Sequence, residues 1–254
     1  MKKIGLIGFP IAHSGSPQLF KDIFSGNDAI LNNYSYDLIE TEDFSLAAEL
    51  FYKEYLAVNV TTPYKEDALA LADEYAYPVG RIMAANLLVK DSEGVVTAYN
   101  TDCHALCRML PQEKKVVVIG CGGAARAAVV AALEKGCKVS IFNRTRSRVE
   151  EFCLNLKINN TENIPSEVEI VDRHQLDVAI SDSDVVVYAI SEPVQLFDFS
   201  LLKGKIVIEA NYKDPLFSES LLEPLAAQYL SGRQWLRLQA IEGYRIIGLL
   251  ENQR

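Results

Sequence analysis

Apolar and polar positions along this chain follow two periods. Residues 4–8 (IGLIG) and 56–61 (LAVNVT) are short apolar runs rich in branched side chains and bounded by turn residues, which predicts buried strands. Between them Leu19, Phe20, Ile23 and Phe24 recur at helical spacing. They follow Ser16-Pro17, which reads as an N-cap with proline at the first helical position. Thr62-Pro63 carries the same start signal and predicts a helix through about residue 72. A hairpin is expected next, with strands near 86–89 and 95–99 around Ser92-Glu93-Gly94.

The second half changes character. Residues 115–120 form a continuous apolar strand, 123–135 an alanine-rich helix and 137–143 another strand. Further strands are expected at 168–171, 184–190 and 205–210, with helical stretches between. Such alternation implies right-handed crossovers and a parallel sheet. Residues 234 to about 250 read as one helix packed back on the first half. At about 150 residues per domain, 254 residues suit one or two domains. The junction falls near 100–110. The expected architecture is α/β with a cleft between two domains, 1–102 completed by the C-terminal helix 233–254, and 103–232.

Composition narrows the function. Lys plus Arg number 25 and Asp plus Glu 34, a net charge of −9, which argues against nucleic acid or an anionic membrane as partner. No apolar run reaches the roughly 18 residues of a membrane span. Met1-Lys2-Lys3 before an apolar stretch faintly resembles a signal peptide, but Pro10 and His13 interrupt it and no cleavage signal follows. The cytoplasm is the expected location. The five cysteines are an odd count without repeated spacing, so no disulfide framework is expected. Cys103, His104 and Cys107 suggest a metal, yet a thiolate site normally wants four ligands and no second Cys/His pair is spaced to complete it. No metal is expected.

Gly120-Cys121-Gly122-Gly123-Ala124-Ala125 fits G-x-G-x-x-A, following a predicted strand and opening a helix. Glycines there permit a tight turn and close backbone approach to a pyrophosphate, which the helix N-terminus stabilises. The next strand ends in Asn143-Arg144-Thr145-Arg146-Ser147-Arg148, with no acid before Glu150. An NAD site would place Asp or Glu there. Arginines at a helix N-terminus oppose its dipole, and an anion reverses that sign. The 2′-phosphate of NADP suits their planar fork. The cofactor expected is therefore NADP, held by Gly120, Gly122, Gly123, Ala124, Asn143, Arg144, Thr145 and Arg148.

Ser14 and Ser16 are hydroxyls just before a helix N-terminus, a good receptor for a carboxylate. Lys65 falls in the first turn of the helix expected from Thr62, where the dipole disfavours a cation. The segments Ile11-Ala12-His13-Ser14-Gly15-Ser16-Pro17, Asn59-Val60-Thr61-Thr62-Pro63-Tyr64-Lys65, Asn86 and Asn100-Thr101-Asp102, together with the glycine turn and Asn143-Arg144-Thr145, resemble the shikimate dehydrogenase family. The resemblance runs in order from about Gly8 to Gly248, and Gly232 stands seven positions before Gln239 as in that family's last segment.

The resemblance implies a Rossmann-like NADP-binding domain beside a smaller α/β substrate domain. It implies NADPH-dependent, reversible reduction of 3-dehydroshikimate to shikimate, a step of chorismate and aromatic amino acid biosynthesis. It gives proton transfer to Lys65 with Asp102 as partner, and the carboxylate to Ser14, Ser16 and Tyr212. It gives the ring hydroxyls to Asn59, Thr61, Asn86 and Gln239, and Gly232 to the cofactor side. A monomer or homodimer is expected. Four positions depart from the pattern: Leu87 stands for Thr, Cys103 for Gly, Tyr188-Ala189-Ile190 for Asn-Ala-Thr, and Glu209 for Asp. Competing readings are a quinate/shikimate enzyme of wider range and a non-catalytic regulatory module. A short-chain reductase would need Tyr-x-x-x-Lys, which neither Tyr52-Lys53 nor Tyr64-Lys65 supplies.

Overall fold

The computed structural model describes residues 1–159 and 167–251. The chain divides into two compact units, Met1–Thr101 with Ala240–Arg254, and Asp102–Gln239. The division falls inside the last helix rather than at its start, so residues 233–239, expected with the first domain, group with the second.

The first unit runs β1 (Lys2–Gly8), α1 (Ser16–Ile23), α2 (Asp28–Asn33), β2 (Tyr34–Glu40), α3 (Phe44–Glu54), β3 (Tyr55–Val60), a 3-10 turn (Asp67–Leu71), β4 (Glu74–Tyr75), α4 (Val79–Ile82), β5 (Leu87–Lys90) and β6 (Val96–Tyr99). Its sheet has the order β2-β1-β3-β5-β6-β4, with β1 parallel to both neighbours and β5 antiparallel to both of its own. Successive residues of a strand point to opposite faces, so Val58 and Leu88 enter one core with Ala47 and Phe51 of α3. Ala57 and Leu87 enter another with Phe20 and Phe24 of α1 and with Ala240 and Tyr244. A sheet covered on both faces explains why its central strands read as continuous apolar runs.

The second unit contains α5 (Thr101–Met109, beginning one residue before the division), β7 (Lys115–Ile119), α6 (Gly123–Glu134), β8 (Lys138–Phe142), α7 (Arg146–Ile158), β9 (Val168–Val171), α8 (Leu176–Asp182), β10 (Val185–Tyr188), β11 (Ile206–Glu209), α9 (Glu219–Leu222), β12 (Gln228–Leu230) and α10 (Gly232–Ile246). All six strands are parallel in the order β12-β11-β10-β7-β8-β9. This is the doubly wound arrangement, in which strand order reverses between β7 and β10. Helix α6 is buried on nearly every side, from Ala125 through Leu133, and its alanines permit close packing.

Two sequence expectations fail. No α-helix starts at Thr62: residues 62–66 form turns that lead into the 3-10 segment. The Lys65 carbonyl accepts from the Ala85 N–H at 2.8 Å, while Leu69 N–H turns to Glu66, so a tertiary bond replaces the helical ladder. The dipole argument for Lys65 falls with that helix. Ser16 is not the N-cap of α1; Gly15 is, with no side-chain cap bond. Ser14 Oγ instead accepts the Ser16 N–H at 3.3 Å.

Arg81 of α4 is 2 % exposed, and its Nε, Nη1 and Nη2 have no hydrogen-bond partner among the described residues. An unpaired buried charge is costly. Arg81→Met keeps the aliphatic stem and removes the charge. It should raise stability by about 1–4 kcal/mol, read as a rise in Tm of about 2–4 °C per kcal/mol. A lower Tm would show that the guanidinium has an anionic partner.

Candidate active site

In the first unit, Leu6 of β1 stands opposite Asn59 of β3, Asn59 opposite Leu87 of β5, and Leu87 opposite Tyr99 of β6. The carboxyl ends of β1, β3 and β6 and the start of β5 therefore share one end of the sheet. Ser14, Ser16, Asn59, Thr61, Lys65, Asn86 and Thr101 all lie on the chain as it leaves or enters that end. Ligand sites of α/β sheets form at such ends.

Hydrogen bonds tie these segments together. Asn59 Oδ1 accepts from the Tyr36 hydroxyl at 2.9 Å, and Asn59 Nδ2 donates to the Asn86 carbonyl at 3.3 Å. Asn86 is buried: its Nδ2 donates to Thr101 Oγ1 at 2.9 Å and its Oδ1 accepts the Thr101 N–H at 2.7 Å. Asn100 Nδ2 donates to the Ala84 carbonyl at 2.8 Å. Ser14 Oγ donates to Ser16 Oγ at 3.2 Å beside the first turn of α1. That turn combines hydroxyls with helix N–H groups, an arrangement suited to a carboxylate. Lys65 is half-buried. Tyr36, which holds Asn59, was absent from the sequence reading, where nothing local marks it; Thr101, which holds Asn86, appeared there only inside the Asn100-Thr101-Asp102 motif, without a role.

Asp102 opens the second unit. It is 6 % exposed, in the first turn of α5, where the helix dipole favours a carboxylate. Its Oδ1 accepts from Trp235 Nε1 at 2.9 Å. The chain's single tryptophan thus orients this carboxylate across 133 positions of sequence, too far for any motif to signal. Gln239 is half-buried and donates to the Leu236 carbonyl at 3.1 Å.

The glycine turn follows β7 and opens α6. Gly120 has φ +117°, and a Cβ there would stand 2.7 Å from the Ala189 carbonyl oxygen, so both conformation and space require glycine. A Cβ at Gly122 would meet no atom within 4 Å, so the turn is open on that side. Arg126 of α6 donates from Nε to the Cys121 carbonyl at 3.1 Å, bracing the turn from behind. This cradle fits a dinucleotide pyrophosphate. After β8, Arg144, Thr145 and Arg148 are exposed, and Asn143 Nδ2 donates to the Thr145 carbonyl at 3.0 Å. Thr145 is the N-cap of α7 by position, without a side-chain cap bond. Arg146 differs from the sequence argument: it pairs with Glu150 at 2.8 Å and Asp172 at 2.7 Å. Its charge at the helix start is compensated within the protein.

Two of the unusual residues turn inward. The Tyr188 ring is fully buried against Phe217, and its hydroxyl donates to the Val194 carbonyl at 2.8 Å and accepts the Val194 N–H at 3.1 Å. Glu209, also fully buried, accepts from Leu216 N–H at 2.6 Å, Phe217 N–H at 3.3 Å and Tyr229 hydroxyl at 2.7 Å. It closes the loop that carries Tyr212. Gly232 packs against the start of that loop; a Cβ would stand 2.6 Å from the Asn211 carbonyl oxygen. A groove of about 580 Å³ in this unit, lined among others by Lys115, Lys138, Glu169 and His174, opens where β7 and β8 begin, the opposite end from the glycine turn.

Residues 6–88 match the model of the shikimate dehydrogenase substrate binding domain, and 104–211 that of shikimate / quinate 5-dehydrogenase. Shikimate dehydrogenase (NADP(+)) of Dinoroseobacter shibae is 31% identical over 263 residues, covering 94% of this chain and 89% of that protein. The crystal structure of shikimate dehydrogenase from Aquifex aeolicus superposes with a TM-score of 0.84 at 27% identity, covering 100% of this chain and 94% of that one. Shikimate 5-dehydrogenase from Listeria monocytogenes, in complex with shikimate and NAD, gives 0.81 at 25% identity, covering 97% and 91%.

Burial raises the Glu209 carboxyl, although its three donors pull it down. The folded state thus holds this proton more tightly than the unfolded chain does. Its contribution to stability is complete below the unfolded pKa and is lost as pH rises through the folded one. Glu209→Gln removes the titration. The Tm of the wild type relative to this variant should therefore fall as pH rises from the acid range toward neutrality, and a flat difference would refute the assignment.

Proposed function

The chain belongs to the shikimate dehydrogenase family, and we propose that it catalyses the reversible, NADPH-dependent reduction of 3-dehydroshikimate to shikimate. The observation that carries this reading is the convergence of Ser14, Ser16, Asn59, Thr61, Lys65 and Asn86 on one sheet end. With it goes Asp102, buried at the start of α5 and held by Trp235.

Ser14 and Ser16 receive the substrate carboxylate at the first turn of α1, joined by Tyr212. Asn59, Thr61, Asn86 and Gln239 are the polar partners for the ring hydroxyls. A site built to hydrogen-bond hydroxyls discriminates strongly against analogues that lack them. Asn86 also fixes Thr101, and through it the residue that follows. Lys65 donates the proton that neutralises the developing alkoxide, as a general acid must. Asp102 takes the role of carboxylate partner that the family resemblance implies. Gly120, Gly122, Gly123 and Ala124 hold the pyrophosphate, and Gly232 supports the loop of Tyr212 on the cofactor side. Asn143, Arg144, Thr145 and Arg148 take the adenosine ribose and its 2′-phosphate. NADPH supplies the hydride when bound. The enzyme acts in the cytoplasm, as a monomer or homodimer, with no nucleic-acid or membrane partner. Among the described residues no helix is long and apolar enough to cross a membrane.

The decisive assay follows nicotinamide absorbance with shikimate and NADP, beside quinate and NAD. Turnover with the first pair is expected; turnover with quinate and NAD alone would favour the wider-range reading, and binding without turnover the regulatory one. In the same assay Lys65→Ala should lower kcat by about 10²–10⁴-fold with KM little changed, and full activity would refute the proton-transfer role. Arg144→Ala should raise KM for NADPH about tenfold or more, from loss of a charge-assisted bond, and leave NADH nearly unaffected. Equal losses for both cofactors would remove the phosphate argument.

A further inference from the structure

We propose that Cys103, Cys107 and Glu134 form a binding site for one thiophilic divalent cation of the zinc and cadmium class. The two cysteines lie four residues apart on α5 and so share a helix face. Glu134 ends α6. One donor atom from each, two sulfurs and a carboxylate oxygen, lie within 4.8 Å of one another. The sequence alone offers only the two thiols; the packing of α5 beside the end of α6 brings up the third ligand, 27 residues away from Cys107.

Two features of Glu134 suit it to a cation. Its Oε2 accepts a weak bond from the Cys107 thiol at 3.5 Å, while its Oε1 is buried with no hydrogen-bond partner among the described residues. A dry, unpaired carboxylate oxygen is costly. The carboxylate also sits in the last turn of a helix, where the dipole repels negative charge. A single cation against both oxygen and sulfur removes the two costs together. Cys103 is 1 % exposed and Cys107 half-buried, so the sulfurs are shielded while the site keeps one open side.

The donor set selects the ion. Two thiolates favour zinc or cadmium over calcium or magnesium, which require oxygen ligands. Three protein ligands leave the fourth tetrahedral position to water. Zinc–sulfur and zinc–oxygen bonds of roughly 2.3 and 2.1 Å place donors round one ion up to about 4 Å apart, so the three side chains need to close in only slightly. Binding replaces two S–H bonds by two sulfur–metal bonds, and both protons pass to solvent; no oxidant or reductant takes part. The occupied site pins α5, whose first turn carries Asp102, to α6, whose first turn completes the glycine cradle.

The test uses the full chain stripped with a chelator and titrated with Cd²⁺, watching the ultraviolet thiolate-to-cadmium charge-transfer band. One equivalent per chain is expected, and Zn²⁺ should displace it. Cys107→Ser and Glu134→Gln each change a single atom and should weaken binding about tenfold or more, whereas Cys153→Ser, outside the cluster, should leave it unchanged. Circular dichroism checks that each variant folds, and Glu134→Gln serves alone if the cysteine variant does not. Absence of the band at one equivalent, or undiminished affinity in Glu134→Gln, overturns the proposal.

Discussion

The buried amide of Asn86 is the interaction on which the first unit's functional end depends. Its side chain holds both the N–H and the hydroxyl of Thr101, its carbonyl accepts from Val60 N–H at 2.9 Å and from Asn59, and its own N–H donates to Tyr99 at 3.1 Å. Four segments of chain are thereby fixed to one residue: β3, the start of β5, the end of β6 and the start of α5. Loss of any partner would leave a polar group dry, which costs more than the bond itself contributes. This asymmetry makes the arrangement close to all-or-none.

The second unit reaches comparable precision by a different route. There the carboxyl ends of the strands are packed so closely that side chains are excluded, at Gly120 against Ala189 and at Gly232 against Asn211. Glu209 then ties down the loop after β11 through three donors. The family's usual residues at positions 188 and 209 are polar; here the Tyr188 ring and the Glu209 carboxylate are absorbed into internal bonds. Leu87 likewise joins the apolar cluster with Ala240 and Tyr244. Tyr188 and Glu209 thus hold the loops after β10 and β11 from within.

Legibility in the sequence tracked how local the causes were. The turn from β7 into α6 and the β5–β6 hairpin with Gly94 at φ +90° follow from neighbours in sequence and were readable. Strand β2 was missed because no clear alternation marks it; its residues from Tyr34 to Leu38 are all only partly buried. The helix expected after Thr62 was lost to a bond from Ala85, twenty residues on. The Asp102–Trp235 bond, the Glu134 ligand and the ion pairs of Arg146 all depend on long-range packing, and no local pattern carries them. The motifs marked local turns and elements, whereas the side chains that brace them across the fold, such as Trp235 on Asp102, carry no local signal.

That division bears on the arginines after β8. Sequence alone counts three cations, but Arg146 is neutralised by Glu150 and Asp172, so counting overstates the local field. Arg144 and Arg148 are exposed near the start of α7, on a chain whose net charge is −9. At physiological salt, charges farther than about 8 Å are largely screened, so the acidic remainder of the surface subtracts little from a phosphate bonded directly to a guanidinium. On the proposed reading, selectivity for a 2′-phosphate rests on short, directional bonds rather than on net charge. The Arg146 pairs tie the first turn of α7 to Glu150 one turn on and to Asp172, the residue after β9.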